Sequence, residues 1–132
     1  MSSALEAVQV SLVSALQDSA ELMEMISGVY DGPPPRAEFP YVSLTTSASR
    51  DWSHKTGTGR ALSIGLTVHD SGTSAVRIGA IMARVEAALE QELTDPDDWQ
   101  IVTFTFRRSR IVRSATGPWR GLIEYRARCL QT

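Results

Sequence analysis

The residues best suited to chemistry lie in one polar segment near the middle of the chain. Asp51, Ser53 and His54 are the residue types of a hydrolytic triad. They stand within four positions of one another, and neighbours this close do not easily give the geometry of nucleophile, base and orienting acid that such a site needs. We therefore expect no catalytic residues here and interpret the segment as a polar surface loop.

The sequence also offers no pattern for a metal or a cofactor. His54 and His69 are the only histidines and Cys129 is the only cysteine, so a Cys-rich or His-rich metal site is not expected. Gly57 and Gly59 make half of a dinucleotide fingerprint, but the third glycine is missing and a strand pattern follows. Cys129 lies at an apolar strand position and is expected to be a small core residue. We predict a protein that is not an enzyme and needs no metal or cofactor.

Charge is divided unevenly along the chain. The whole protein has a net charge of −2, but residues 1–98 hold six basic and fourteen acidic side chains. Residues 99–132 hold seven arginines and a single acid, Glu124. Such asymmetry indicates a charged binding face. The arginines of this segment are Arg107, Arg108, Arg110, Arg113, Arg120, Arg126 and Arg128.

Two kinds of partner fit these arginines. A basic strand pair can bind phosphate backbones, but no known nucleic-acid-binding module is present and the sequence pI is about 5.6. Arginine also pairs bidentately with carboxylates across protein interfaces. We favour the interface, in which the arginines of one subunit meet acids of the next. The candidate acids are Glu86, Glu90, Glu92, Asp95, Asp97 and Asp98.

Hydrophobic periodicity predicts two main helices. Leu5, Val8, Leu12 and Leu16 recur at three- and four-residue steps in the segment 4–26. Ser19 is a helix-capping residue type, so we expect a break there and a second short helix over residues 20–26. A long helix is predicted over about residues 73–92. Its buried stripe is Ile78, Ile81, Met82, Val85 and Leu89.

Alternating apolar residues predict four strands, over residues 40–50, 60–69, 100–112 and 119–130. Val102, Phe104 and Phe106 are expected on the inner face of the third strand. The expected fold is α+β, in one domain over residues 1–132: an antiparallel four-stranded sheet with two main helices packed on one face, in the order α-β-β-α-β-β. A short strand at residues 29–31 is also compatible with the sequence.

The connections between these elements carry turn residues. Pro33-Pro34-Pro35 predicts an extended loop without backbone donors. Ser71-Gly72-Thr73 supplies helix-capping types, and Ala115-Thr116-Gly117-Pro118 a turn. The polar segment 51–59 is predicted to be an irregular loop, too long for a tight hairpin turn. There is no apolar run long enough for a membrane span and no signal-peptide pattern, so we expect a cytoplasmic protein.

Several blocks of the sequence resemble a family of phage tail completion or tail terminator proteins, which long-tailed phages and gene transfer agents carry. The resemblance covers essentially the whole chain in the right order. The first two blocks are moderately specific and the later ones are patterns only. The blocks are residues 29–34 with 39–42, residues 50–56, residues 66–69 and residues 104–107.

The resemblance implies a structural role without catalytic residues. It implies a homo-hexameric ring at the head-proximal end of the tail tube, where the ring stops tube growth and joins the tail to the head connector. Its partners would be other copies of the chain, the tail tube protein and the connector or stopper protein, with DNA only passing through the lumen and no membrane. The protein would assemble in the cytoplasm and reside in the neck or tail of the particle.

The residues expected to contact partners fall into two groups. One is the polar loop, with Asp51, Trp52, His54 and Lys55, where Trp52 is the expected anchor. The other is the basic strand, with Arg107, Arg108, Arg110 and Arg113. Two other functions remain open at this stage: a different head–tail joining protein, such as a stopper, or a nucleic-acid-binding module that uses the arginine strands.

Overall fold

A computed structural model of the chain describes residues 3–32, 34, 36–72, 75–113, 115 and 117–132. Parts of three predicted connections lie outside the described residues. They are Pro33 and Pro35 of the proline loop, Thr73 of the expected helix cap and Thr116 of the last turn.

The helices follow the predicted apolar stripes. Helix α1 spans Ala4–Gln17 and begins at Ser3, whose Oγ accepts a hydrogen bond from the Glu6 amide at 3.2 Å. Ser19 caps helix α2, Ala20–Met23, in the same way at 3.3 Å, so the predicted break is confirmed although α2 ends earlier than expected. Helix α3 spans Ala75–Glu92. None of the described helices is long and apolar enough to cross a membrane.

The sheet has five strands rather than the predicted four. Strands β1 (Val29–Asp31), β2 (Tyr41–Asp51), β3 (Gly59–Asp70), β4 (Trp99–Arg113) and β5 (Trp119–Gln131) lie in the spatial order β1-β2-β3-β5-β4. The β2–β3, β3–β5 and β5–β4 pairs are antiparallel, as predicted, whereas β1 pairs with β2 in parallel. Three residues show too little alternation to reveal which strand β1 pairs with. The α+β class was therefore predicted correctly, but the number of strands was wrong.

The helices cover one face of this sheet. Apolar side chains that alternate along β3 and β5 point toward them and are buried, and they include Leu62, Ile64, Leu66, Val68, Ile123, Tyr125, Ala127 and Cys129. Helix α3 approaches β5 closely at Gly121, where an added Cβ would lie 2.4 Å from the Met82 sulfur. The opposite face of the sheet carries no helix among the described residues.

Strand β4 forms one edge of the sheet and departs from simple alternation. Its pairing with β5 shifts between Ile101 and Thr103 and again between Phe106 and Arg108. These bulges change which side chains face the helices. Phe104 stacks on Tyr125 with ring centroids 4.5 Å apart, but Val102 is 42% exposed and Phe106 45% exposed. Phe106 does face the helix side, where its ring contacts that of Tyr125 edge-on. The prediction that all three apolar residues belong to the core is wrong for Val102, which lies at a register shift, and for Phe106, which stays half-exposed.

The segment predicted as an irregular loop is instead a continuation of the β2–β3 hairpin. His54 and Gly57 form a bridge in which each amide donates to the other carbonyl, at 2.8 and 3.3 Å. Only Lys55 and Thr56 remain in the turn. Gly59 is needed for the close approach, because an added Cβ would lie 2.3 Å from the Trp52 carbonyl oxygen.

Candidate functional site

The helix-free face of the sheet carries most of the arginines of residues 99–132. Strand alternation turns every second side chain toward it, on the side opposite the buried core. Register across β2, β3, β5 and β4 places these outward side chains in four adjacent rows. They are Tyr41, Ser43, Thr45, Ala48 and Arg50; Ala61, Ser63, Thr67 and His69; Arg120, Leu122, Glu124, Arg126 and Arg128; and Thr103, Thr105, Arg108 and Arg110.

One carboxylate lies among these outward strand positions in the described chain, and it is already paired. Arg108 donates to Glu124 through Nε at 2.9 Å and through Nη2 at 3.1 Å. The hydrogen bonds from Arg108 lower the pKa of Glu124, and the charges of Arg110 and Arg107 lower it further. Three predicted interaction residues of the basic strand are thus gathered around a single acid.

A shallow depression of about 350 Å³ lies in the middle of this face. The residues that line it include Arg107, Arg126, Ser63 and Ala48. Glu124 also lines it, held by Arg108. The depression therefore offers positive charge and a hydroxyl group to a partner.

The second predicted group lies at the tip of the β2–β3 hairpin. The ring of Trp52 contacts that of His54 edge-on, with centroids 4.6 Å apart, and the Arg128 guanidinium lies 5.5 Å from the Trp52 ring centroid. Asp51 accepts hydrogen bonds from Ser53, which lower the pKa of Asp51. Lys55 is exposed in the turn. The tip is hydrogen-bonded and aromatic, and Asp51, Ser53 and His54 do not form a triad.

The structure does not bring the two predicted groups together. The hairpin tip lies beside the end of β5, where the Gln131 amide donates to the Thr58 carbonyl at 2.8 Å. Arg108 pairs with Glu124, seven positions earlier on β5, which is roughly 20 Å away at the usual rise of a strand. Arg113 is separate again, with its guanidinium 5.1 Å from the centroid of the Trp119 ring.

Three of the acids expected to meet the arginines across a ring contact, Glu86, Glu90 and Asp95, lie beside β4, the strand that carries four of the arginines. Glu86 lines a groove between α3 and β4, and Glu90 lines the neighbouring groove beside Phe104. Burial, and then the charge of Glu90, raise the pKa of Glu86. A head-to-tail contact requires complementary patches on opposite sides. Glu86 and Glu90 do not supply such an opposite patch, whereas Asp97 and Asp98 line a groove with Val10 of α1. The acid–arginine contact between subunits stays a prediction.

Sequence reasoning missed a polar cluster at the other end of β3. Asp70 is fully buried and accepts hydrogen bonds from Arg77 and from the Gly72 amide. These hydrogen bonds, that of Arg77 first, lower the pKa of Asp70. His69 shares a hydrogen bond with Ser43 at 3.0 Å and stacks on Tyr41. The His69 contacts follow from the β2–β3 strand register, and the Asp70–Arg77 pair from the start of α3 lying beside the end of β3. Neither placement can be read from the sequence alone.

The remaining candidates for chemistry are inert. Cys129 is fully buried, and this burial, with the charge of Asp95, raises the pKa of its thiol to about 11. It is the core residue that the alternation predicted. No group of three potential metal ligands occurs among the residues described by the structure.

Comparisons with known proteins identify the family to which this sequence and fold belong. The model of the family described as tail completion protein gp17 matches residues 10–130. A chain of the native gene transfer agent virion is 28% identical and superimposes with a TM-score of 0.85, covering 98% of this chain and 99% of that chain. The bacteriophage SPP1 gp17 protein is 25% identical with a TM-score of 0.65, covering 94% of this chain and 89% of that chain. A comparison with curated proteins gave no match. The chain therefore belongs to the tail completion protein gp17 family, a family with a structural role in tails of phages and phage-like particles and not a family of enzymes.

Proposed function

We propose that this protein is the tail terminator of a phage or gene transfer agent: a ring of six identical single-domain subunits that caps the tail tube and joins it to the head connector. The observation that carries the proposal is the likeness to a chain of the gene transfer agent virion over 98% of one chain and 99% of the other. The subunits assemble in the cytoplasm, and the ring resides in the neck of the particle, with the tail tube protein and the connector protein as neighbours.

Two unlike sheet edges support a ring. Strand β4 has 15 residues and pairs only with β5 in the described chain, so one whole side of its backbone is open. At the other edge, β1 covers β2 only as far as Leu44, and residues 46–51 are open on that side. Open edges are sites where another chain adds. Because the two edges differ, their contact is head-to-tail, as a closed ring requires.

Exposed apolar side chains lie at both of these flanks. Phe106 and Ile111 are 45% and 40% exposed beside the β4 edge, and Val102 is 42% exposed. Val10, on the helix that packs over β1 and β2, is 70% exposed. A standard interface buries about 800 Å² per partner, so two ring contacts require about 1,600 Å² of the subunit's 7,554 Å². These apolar residues supply the contact, and the arginines are left for other partners.

The ring is tested by measuring mass. Six copies of the 14.4 kDa chain give particles of about 86 kDa, detected by native mass spectrometry of the free protein or of rings released from capped tubes. Replacing both Phe106 and Ile111 with lysine should leave the fold intact and abolish the 86 kDa species. Val76, exposed on the first turn of α3 and not part of either sheet edge, is the matched control, and Val76→Lys should still form rings.

Capping is tested in cells that make the particle. Deletion of the protein should give overlong tail tubes without heads, and the wild-type chain should restore tubes of uniform length. Tubes of normal length joined to heads in the deletion strain would overturn the terminator function. A Phe106→Lys/Ile111→Lys variant that still forms rings would overturn the proposed contact alone.

A further inference from the structure

We propose that the helix-free face of the sheet is a docking surface for the phosphate backbone of double-stranded DNA. Here "basic face" denotes the outward side chains of β4 and β5 around the central depression. Its positive members are Arg107, Arg108, Arg110, Arg120, Arg126 and Arg128.

The basic face carries an excess of positive charge. Glu124 is the acid among the described outward strand positions, and Arg108 holds it with two hydrogen bonds. The other arginines of the basic face have no carboxylate partner among the described residues. Their positive field also reaches His69, since the charge of Arg120 and, more strongly, burial lower the pKa of that imidazole. A face of this kind attracts a polyanion.

Helices α1 and α2, which carry Glu6 and Glu21, cover the opposite face of the sheet. A helix is about 10 Å thick, and the Debye length is about 8 Å at physiological salt. Salt therefore screens Glu6 and Glu21 from a ligand on the basic face. Glu86 of α3 is nearer, since it shares a groove with Arg110 beside β4. The net charge of −2 does not predict how this face behaves.

The face also carries exposed hydroxyl groups. Ser63, Thr103 and Thr105 lie between the arginines in the strand register. Hydroxyl groups and arginines are the usual donors to DNA phosphates. The exposed apolar residues Phe106 and Ile111 belong to the other side of β4, which packs near α3. The core of a protein interface would be depleted of charge and rich in apolar side chains, so the basic face favours DNA over a protein partner.

The position of the face in the particle rests on the proposed function. If the subunits form a ring through their two open edges, each sheet continues into the next, and one of its two faces must line the channel. We place the basic face on the channel side of the ring, against the DNA. DNA binding by the face itself does not depend on the ring.

The test is the salt dependence of DNA binding by the purified full-length protein. Fluorescence anisotropy with a labelled 30-base-pair duplex of arbitrary sequence, between 25 and 200 mM salt, gives the slope of log affinity against log salt. Each phosphate contact contributes about −0.9 to this slope. Replacing Arg107, Arg110 and Arg126 with glutamine should make the slope shallower by about 2 to 3. The matched control replaces Arg36, Arg60 and Arg84, which removes the same charge outside the basic face, and should leave the slope unchanged.

Three results would overturn the inference: no binding of the wild type at 25 mM salt, equal effects of the two triple variants, or an unchanged slope in the Arg107, Arg110 and Arg126 variant. Poly-glutamate represents the alternative occupant, an acidic protein segment, and should displace the duplex poorly. Displacement of the duplex by equal charge concentrations of poly-glutamate would also count against DNA. Native mass spectrometry of the same samples reports ring formation separately, so failure of the ring and failure of DNA binding are distinguished.

Discussion

Arg108 and Glu124 face each other across the last two strands and form a two-point ion pair, with Nε–Oε2 and Nη2–Oε1 distances of 2.9 and 3.1 Å. Both side chains are solvent-exposed, so the pair contributes little to folding stability. The ion pair does affect the charge of the basic face, because Arg108 neutralises Glu124, the acid among the described outward strand positions of that face. Arg107 and Arg110 are left with the excess charge.

Removing this acid is expected to improve DNA binding. Glu124→Gln frees Arg108 for a phosphate, so the salt slope measured by anisotropy should become steeper by about 0.9 and the affinity at low salt should rise. Glu92→Gln changes the net charge by the same amount at the end of α3 and is the control. A similar gain in both variants would mean that net charge, not the basic face, determines binding.

Asp70 and Arg77 connect β3 to α3, and breaking this contact should destabilise the fold. Asp70→Asn replaces a buried carboxylate that accepts three hydrogen bonds, at a cost of about 1–2 kcal/mol because Arg77 is half-exposed. The measurement is urea unfolding at pH 7. Asp97→Asn, at an exposed position, should change little.

The same carboxylate should contribute to acid denaturation. The pKa of Asp70 is lower in the folded protein than its ordinary value of 3.8. Its stabilising effect is therefore complete above that value and is lost as the pH falls through the folded-state pKa. Between pH 5 and pH 2, the wild type should lose stability more steeply than Asp70→Asn. Equal slopes for the two proteins would contradict this assignment.

The sequence predicted those features that repeat along the chain. The stripe from Leu5 to Leu16, the cap at Ser19 and the alternation of Glu124, Arg126 and Arg128 with the core are all confirmed. The resemblance to tail completion proteins is confirmed as well. These features depend on local periodicity or on motifs, which a single sequence displays.

The features that the sequence could not predict depend on tertiary placement. The first register shift of β4 falls at Val102, which is exposed, and nothing in the alternating residues of that strand marks where the register shifts. The position of Glu86 beside β4 follows from how α3 lies across the sheet. Counting charges along the sequence therefore could not show whether acids and arginines lie on opposite sides of the subunit. The hairpin tip was mistaken for a loop because its bridge uses polar residues and glycine.

His69 should make stability depend on pH near neutrality. Burial, and then the charge of Arg120, lower the pKa of His69 below its ordinary value of 6.5. The unfolded chain therefore binds a proton more readily, and stability should decrease as the pH falls below about 6.5. Urea unfolding at pH 7.5 and 5.5 should show a smaller difference for His69→Gln than for the wild type. His54→Gln, at the hairpin tip, should keep the wild-type difference; if it does not, His69 is not the group responsible.

Trp52 is expected to anchor a partner at the hairpin tip. It lies outside the main core, and its ring contacts only His54 and Arg128 among the ring and cation contacts of the described chain. Trp52→Ala should therefore cost about 1 kcal/mol of stability and leave the β2–β3 bridge in place. Partly buried tryptophans at a surface often dominate interface energies, so the variant should fail to restore tubes of uniform length in the deletion strain.

Two comparisons separate an anchor from a structural residue. Trp52→Phe keeps an aromatic ring against Arg128 and should retain most of the capping activity, whereas Gly59→Ala displaces the tip through the Trp52 carbonyl and should reduce capping without touching the indole. Circular dichroism and urea unfolding of each variant report the fold. An unfolded Trp52→Ala protein would show that the indole is needed for folding. A folded Trp52→Ala protein that caps tubes normally would show that the tip contacts no partner.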